Sequence, residues 1–251
     1  MTVFFLALLL YTPPDPGLPN DVVPTPAGLL AAPWDPLVVG GCKEKLLAAG
    51  LTGKEFRFSK TNFVLPRKVY GHDPIYCHVP QPTVAWTGPT GMRWIGYTYT
   101  NCAMALALTR FERIAQDEAR RVFGRPDGEN PVVWAGHLGT YNCRWMRLKA
   151  KQSQHSFGNA IDVSSFFVKG FGEVQVKRHW RPLYPAWEKP SQFLHALATR
   201  LRDEEVFTNV LDPDWDPAHW NHFHLDLAPL SDGLPSGALH RTQKMPGTSG
   251  H

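Results

Sequence analysis

Long apolar runs are missing from this 251-residue chain. The stretch Val3 to Leu10 holds eight apolar residues, too few to cross a bilayer as a helix. It fits the end of a secretory apolar region or a membrane anchor, although no Lys or Arg precedes it and no clear small-residue cleavage site follows. Residues 1–12 therefore read as an export or anchor segment, the chain's one expected link to a membrane. Dense Lys/Arg runs are missing too. A net charge of +4 and a pI near 8.9 are spread thinly, which argues against a nucleic-acid partner and suits an anionic wall or membrane surface. No C-x-x-C occurs among Cys42, Cys77, Cys102 and Cys143, which sets aside a zinc knuckle or a thioredoxin-type motif. An even number of cysteines in an exported chain predicts two disulfides, with all three connectivities open. Internal repeats are also lacking.

What is present is the composition of a globular protein, with 43% apolar residues and 9 Trp. The length suits one domain with one core, expected over residues 41–230. Residues 13–40 are rich in Pro and Gly and read as an extended linker. Residues 231–251 read as a disordered tail. Within the domain, Lys43 to Ala49 suits a short helix. Asn101 is placed to cap a helix from Cys102 to Phe123 that ends at Gly124. Its apolar stripe comprises Met104, Ala107, Leu108, Phe111, Ala115, Ala119 and Val122, with Glu112, Arg113, Asp117, Glu118, Arg120 and Arg121 off that face. Pro131 to Ala135 and Glu173 to Val176 read as strands, and Phe166 to Val176 as a hairpin with glycines in its turn. Pro190-Ser191 opens a further helix. These elements predict an α+β fold with a small antiparallel sheet packed against helices.

Two segments carry chemistry. In the first, Ser153-Gln-His155-Ser-Phe-Gly-Asn-Ala-Ile-Asp162, His155 lies in a loop ahead of Gly158. Ala160 to Val163 then reads as a strand with Asp162 toward a cleft and Ile161 and Val163 inward. In the second, His219-Trp-Asn-His222-Phe-His224-Leu-Asp226, apolar and polar residues alternate. His222 and His224 then look into one cleft while Phe223 and Leu225 enter the core. Three N/O donors drawn from two segments, with a fourth position left to water, form the pattern of a catalytic zinc site. The remaining histidines, His72, His78, His137, His179, His195, His240 and His251, read as surface or core residues.

These two segments, with Gly139-Thr-Tyr-Asn-Cys-Arg144, resemble the bacterial extensin-like C-terminal domain family. They also resemble the zinc signature of the LAS metallopeptidases, the group of lysostaphin, the D-alanyl-D-alanine peptidases and the hedgehog signalling domain. The resemblance spans roughly Gly41 to Leu230. It implies a hedgehog- or D-alanyl-D-alanine-peptidase-like sheet carrying one Zn²⁺ on His155, Asp162 and His224. His222 takes the place of the non-ligand histidine beside the metal-bound water, as in penicillin-insensitive murein endopeptidases. There are two departures. The D-alanyl-D-alanine peptidases carry a Glu base where this chain has Asn221, so either His222 is the base or the site has none. The cysteine usual in the family's helix before the H-x-H strand is absent around Leu194 to Phe207.

The chemistry expected of such a site follows. Zinc lowers the pKa of a bound water from about 16 to about 7 and polarises a carbonyl. His222, with an ordinary pKa near 6.5, suits proton exchange between water and leaving amine. His219 either stabilises an oxyanion, orients His222 or is structural. Arg144 is placed to grip a substrate carboxylate. Ser153 contacts substrate or caps a turn, and Asp226 accepts a ligand N–H. The leading expectation is an exported zinc hydrolase of amide bonds in peptidoglycan peptides. The alternative is a non-catalytic zinc-stabilised module that binds the wall or a protein. A structural wall protein is a weaker third, since the proline-rich stretch has no repeated unit.

Overall fold

The computed structural model describes residues 41–59, 83–144, 146 and 153–228. The expected export segment, linker and tail lie outside these residues, as do Cys77, His72, His78, His240 and His251. Element order is α1 (Cys42–Ala48), β1 (Phe56–Ser59), β2 (Thr83–Trp86), β3 (Arg93–Ile95), β4 (Tyr99–Thr100), α2 (Cys102–Phe123), β5 (Val132–His137), β6 (Ala160–Val168), β7 (Gly172–Gln175), α3 (Val176–His179), α4 (Glu188–Asp203), β8 (Asn209–Leu211) and β9 (Phe223–Asp226). No helix among the described residues is long and apolar enough to cross a membrane.

The α+β class holds, but the sheets differ from the single small antiparallel one expected. One sheet has three strands in the order β1-β2-β4. The other has six, in the order β3-β5-β6-β9-β8 with β7 also on β6, and it is mixed because β3 runs parallel to β5. A parallel neighbour needs a long crossover, and α2 supplies it between β3 and β5.

Helix α2 forms where its sequence pattern puts it. The Asn101 side chain accepts from Met104 N, and Gly124 closes the helix at φ 66°, a left-handed conformation that favours glycine. Phe111 meets Trp94, Phe166 and Phe207, while Phe193 of α4 meets Phe166 edge-on at 5.2 Å. The two long helices thus cover the inner face of the six-stranded sheet, where Ile161, Val163, Phe166, Phe223 and Leu225 are fully buried. Two helix expectations fail. Helix α4 begins at Glu188, two residues before Pro190. Proline is tolerated there because the first helical N–H groups have no intrahelical partner. Glu118, expected off the core face of α2, is buried at 7%, and Glu112, expected there too, is completely buried. It accepts from the indole N–H groups of Trp86 and Trp94 at 2.9 and 2.8 Å and from the backbone and hydroxyl of Thr90.

The cysteines pair as far as they are described. Cys42 bonds to Cys102, tying α1 to the start of α2. Cys143 is disulfide-bonded as well, to a partner outside the described residues. Thiol counting of the denatured, unreduced protein is therefore expected to find no reactive cysteine. Four thiols in protein from its native compartment would contradict both bridges.

Candidate metal centre

The outer face of the six-stranded sheet, away from the helices, carries the site. Asp162 of β6 and His224 of β9 are direct partners in the antiparallel register, so both side chains leave the same face. His155 arrives from a 3-10 turn, Gln154–Phe157. Ser153 caps that turn by accepting from His155 N, and Gly158 ends it at φ 61°. The turn is anchored to α2: Asn101 N donates to Gly158 O, and the Asn101 amide donates to Asn159 Oδ1 at 2.8 Å. The cap of the longest helix thereby fixes the loop that delivers His155.

The segment Gly139 to Arg144 works as a backbone strap behind both donors. Gly139 O accepts from Asp162 N, Thr140 O lies 3.3 Å from His155 Nδ1, and Asn142 N donates to His155 O. Arg144 O accepts from Ser153 N, and Ser156 Oγ accepts from Arg144 N. The half-buried Arg144 side chain makes no ion pair among the described residues. Ser153 is buried at 4% exposure, and the contact its hydroxyl makes is the turn cap.

Three donors converge. His155 Nε2 lies 3.3 Å from His224 Nδ1 and 3.2 Å from Asp162 Oδ2, and His224 Nδ1 lies 2.8 Å from Asp162 Oδ1. These three residues form a group able to hold a metal ion, their ligand atoms all within 4.8 Å of one another. Tetrahedral bonds of about 2.0–2.1 Å require donor separations of about 3.3 Å, so the donor set fits zinc with little adjustment. Each imidazole also has an outer acceptor. His155 Nδ1 faces Thr140 O, and His224 Nε2 donates to Asp226 Oδ2 at 2.9 Å. Those contacts orient the rings and leave the other nitrogen of each turned inward. Asp226 is itself held by Asn209 Nδ2 and Ala228 N, both at 2.8 Å.

The electrostatics call for one positive charge at the centre. Burial by itself would lower the His224 pKa, yet hydrogen bonds to Asp162 and Asp226 and their charges outweigh it and push it up to about 10. Burial works against the Asp162 carboxylate, but His155 and His224 hold it well below the usual carboxylate range. A proton on His224 meets that demand, and a metal ion would meet it by displacing the proton.

His222 and His219 stand beside the trio. His222 precedes β9 and does not belong to the strand, which corrects the expected alternation, yet its Nε2 still reaches to 3.5 Å from Asp162 Oδ1. Its Nδ1 contacts Asn221 Oδ1 at 2.7 Å. Since an amide oxygen only accepts, Nδ1 donates to it, and Nε2 is turned toward the site. Burial holds its pKa below the ordinary value despite the pull of Asp162. His219 lies with its ring 5.3 Å from that of His222 and 5.7 Å from that of His224, its Nδ1 2.8 Å from Asp216 Oδ1.

Sequence reasoning misses three contributors and gives a fourth another role. Thr140 acts through its carbonyl, which no side-chain pattern reveals. Asp216 and Asn209 lie outside both motifs, although an Asp three residues before His219 is a spacing that signals a capped turn. Asn221, which the sequence marks as an absent base, orients His222. Among the histidines read as unrelated to the site, His179 accepts from Gln175 N, and His195 packs on Trp180.

The family model described as extensin-like protein C-terminus matches residues 59–233. No curated protein and no solved structure matches the chain.

Proposed function

The chain belongs to the extensin-like protein C-terminus family, and from that premise we propose that it is a zinc-dependent hydrolase of amide bonds in peptidoglycan peptides. The observation that carries this reading is the convergence of His155, Asp162 and His224 with the His222 ring beside them, its Nε2 3.5 Å from Asp162 Oδ1. His155, Asp162 and His224 would hold the zinc, and the sheet-and-helix arrangement would be of the hedgehog and D-alanyl-D-alanine peptidase type. Zinc supplies Lewis acidity, lowering the pKa of a water and polarising a carbonyl.

The chain's own residues do the rest. His222 accepts a proton at Nε2 and returns it to the leaving amine, its ring fixed by the Asn221 contact. His219, oriented by Asp216, adds a donor beside His222. Asp226 holds His224 by its outer nitrogen, and Arg144 takes a substrate carboxylate. Disulfides support an exported protein acting at the cell envelope.

Incubating zinc-loaded protein with purified peptidoglycan and weighing the released fragments tests the reading. Purified protein is also expected to hold about one zinc per chain. Asp162→Ala and His224→Ala should lose it, while His179→Ala, whose ring serves Gln175 N, should keep it. Full occupancy in both ligand variants would remove the site. A wall that is bound and never cut would leave the zinc-stabilised binding module instead.

A further inference from the structure

A cleft of about 230 Å³ opens on the outer face of the sheet beside the donor trio, lined by Leu138, Ser164, Ser165, Gln175, Lys177 and Asn221. Two of its walls are shared with the site. Asn221 is the residue that holds His222, and Leu138 N donates to Asp162 O at 2.8 Å.

The floor is made by an irregularity in β6. Val163 pairs with His137 and Ser165 with Gly136, leaving Ser164 as an extra residue. Core-facing positions therefore shift from Ile161 and Val163 to Phe166 and Val168, and two consecutive serines face outward. Opposite them, a Cβ on Gly136 would lie 2.6 Å from Ser165 Oγ, so the glycine keeps the floor open. Ser165 is paired with Gln175 of β7, and Lys177 follows in the first turn of α3. Lys177 is the single charged residue in the lining. It is exposed and makes no ion pair among the described residues.

We propose that this cleft is the subsite for an extended peptide carrying a free carboxylate, with the carboxylate on Lys177 and peptide amides on Ser165, Gln175 and Asn221. Neutral hydrogen-bonding groups around one cation match a peptide that has one acidic group. Ser165 lies three residues along β6 from Asp162, at most about 10 Å, so the peptide amide held by Ser165 belongs within roughly three residues of the amide at His222. The inference names the substrate of the proposed hydrolase and rests on that reading.

Binding of two synthetic peptides to zinc-loaded His222→Ala protein tests it. One is L-alanyl-γ-D-glutamyl-L-lysyl-D-alanine with its C-terminus amidated, so that the glutamate α-carboxylate is its one free carboxylate. The other carries a carboxamide there. The acid is expected to bind about three- to five-fold more tightly, the scale of one exposed ion pair. Adding Lys177→Met should erase that preference, and Lys177→Arg should keep it. Equal binding of acid and amide, a preference that survives Lys177→Met, or no binding of either peptide would overturn the subsite. Hydrolysis of the same peptides by the wild type decides the peptidase reading separately: a preference intact without cleavage overturns only the latter.

Discussion

Replacing His222 with alanine is expected to leave the fold and the zinc content intact and to slow amide hydrolysis by about 10²–10⁴-fold, the usual weight of a positioned acid–base group. The ring is no member of the donor trio, and the backbone bond from His222 N to His219 O does not need it. What alanine removes is the one imidazole nitrogen that the Asn221 contact leaves free toward Asp162. The pH profile carries the sign. Burial keeps the His222 pKa below its ordinary 6.5, so the ring is an unprotonated base at neutral pH. Wild-type activity should lose the His222 contribution as pH drops through that lowered value, and the alanine variant should lack that part of the acid limb. Equal cleavage by both proteins would end the assignment. If neither cuts any peptide while both still hold the wall, the binding module replaces the peptidase.

The second large effect is on stability. Glu112→Ala should cost about 3–5 kcal/mol in urea unfolding, because it empties a packed position and orphans the buried Trp86 indole N–H, the half-buried one of Trp94 and Thr90 N. Glu112→Gln isolates the charge. Burial raises the Glu112 pKa from 4.5 to about 7, even against its four donors. A carboxyl whose folded pKa is raised contributes stability below its unfolded value, and that contribution is lost as pH rises through the folded value. The wild type's advantage over Glu112→Gln should therefore shrink between pH 4.5 and about 7, by about 3 kcal/mol. A difference that stays constant across that window would show that the carboxyl is already ionised in the folded protein at low pH.

Much of the site was legible because its geometry is local. Alternation with Ile161, Val163, Phe223 and Leu225 puts Asp162 and His224 on the outer face of their own strands, which makes them neighbours once β6 and β9 are adjacent. The ends of α2 were legible because Asn101 and Gly124 satisfy backbone groups within a few residues. Distance in sequence hid the rest. Glu112 looks solvent-facing on a helical wheel, and only Trp86, Thr90 and Trp94 folding over it make it a core acceptor. The parallel pairing of β3 with β5 depends on a crossover that strand composition does not report. Ser164 and Ser165 break the alternation that strand reading relies on, so the cleft they line left no pattern to find.

The extra residue in β6 makes this strand a phase converter. Before it, odd-numbered side chains belong to the interior, and after it even-numbered ones do. The end that carries Asp162 and the end that packs Phe166 are thus out of step by one residue, and neither could be built correctly on an uninterrupted strand. Deleting either serine would restore a regular pleat and force a choice between turning Asp162 into the hydrophobic interior and turning Phe166 out of it. The strand is consequently intolerant of length change at a point where its side chains are small, polar and half-exposed, and where substitution alone would be mild. Its count of residues there matters more than their identity.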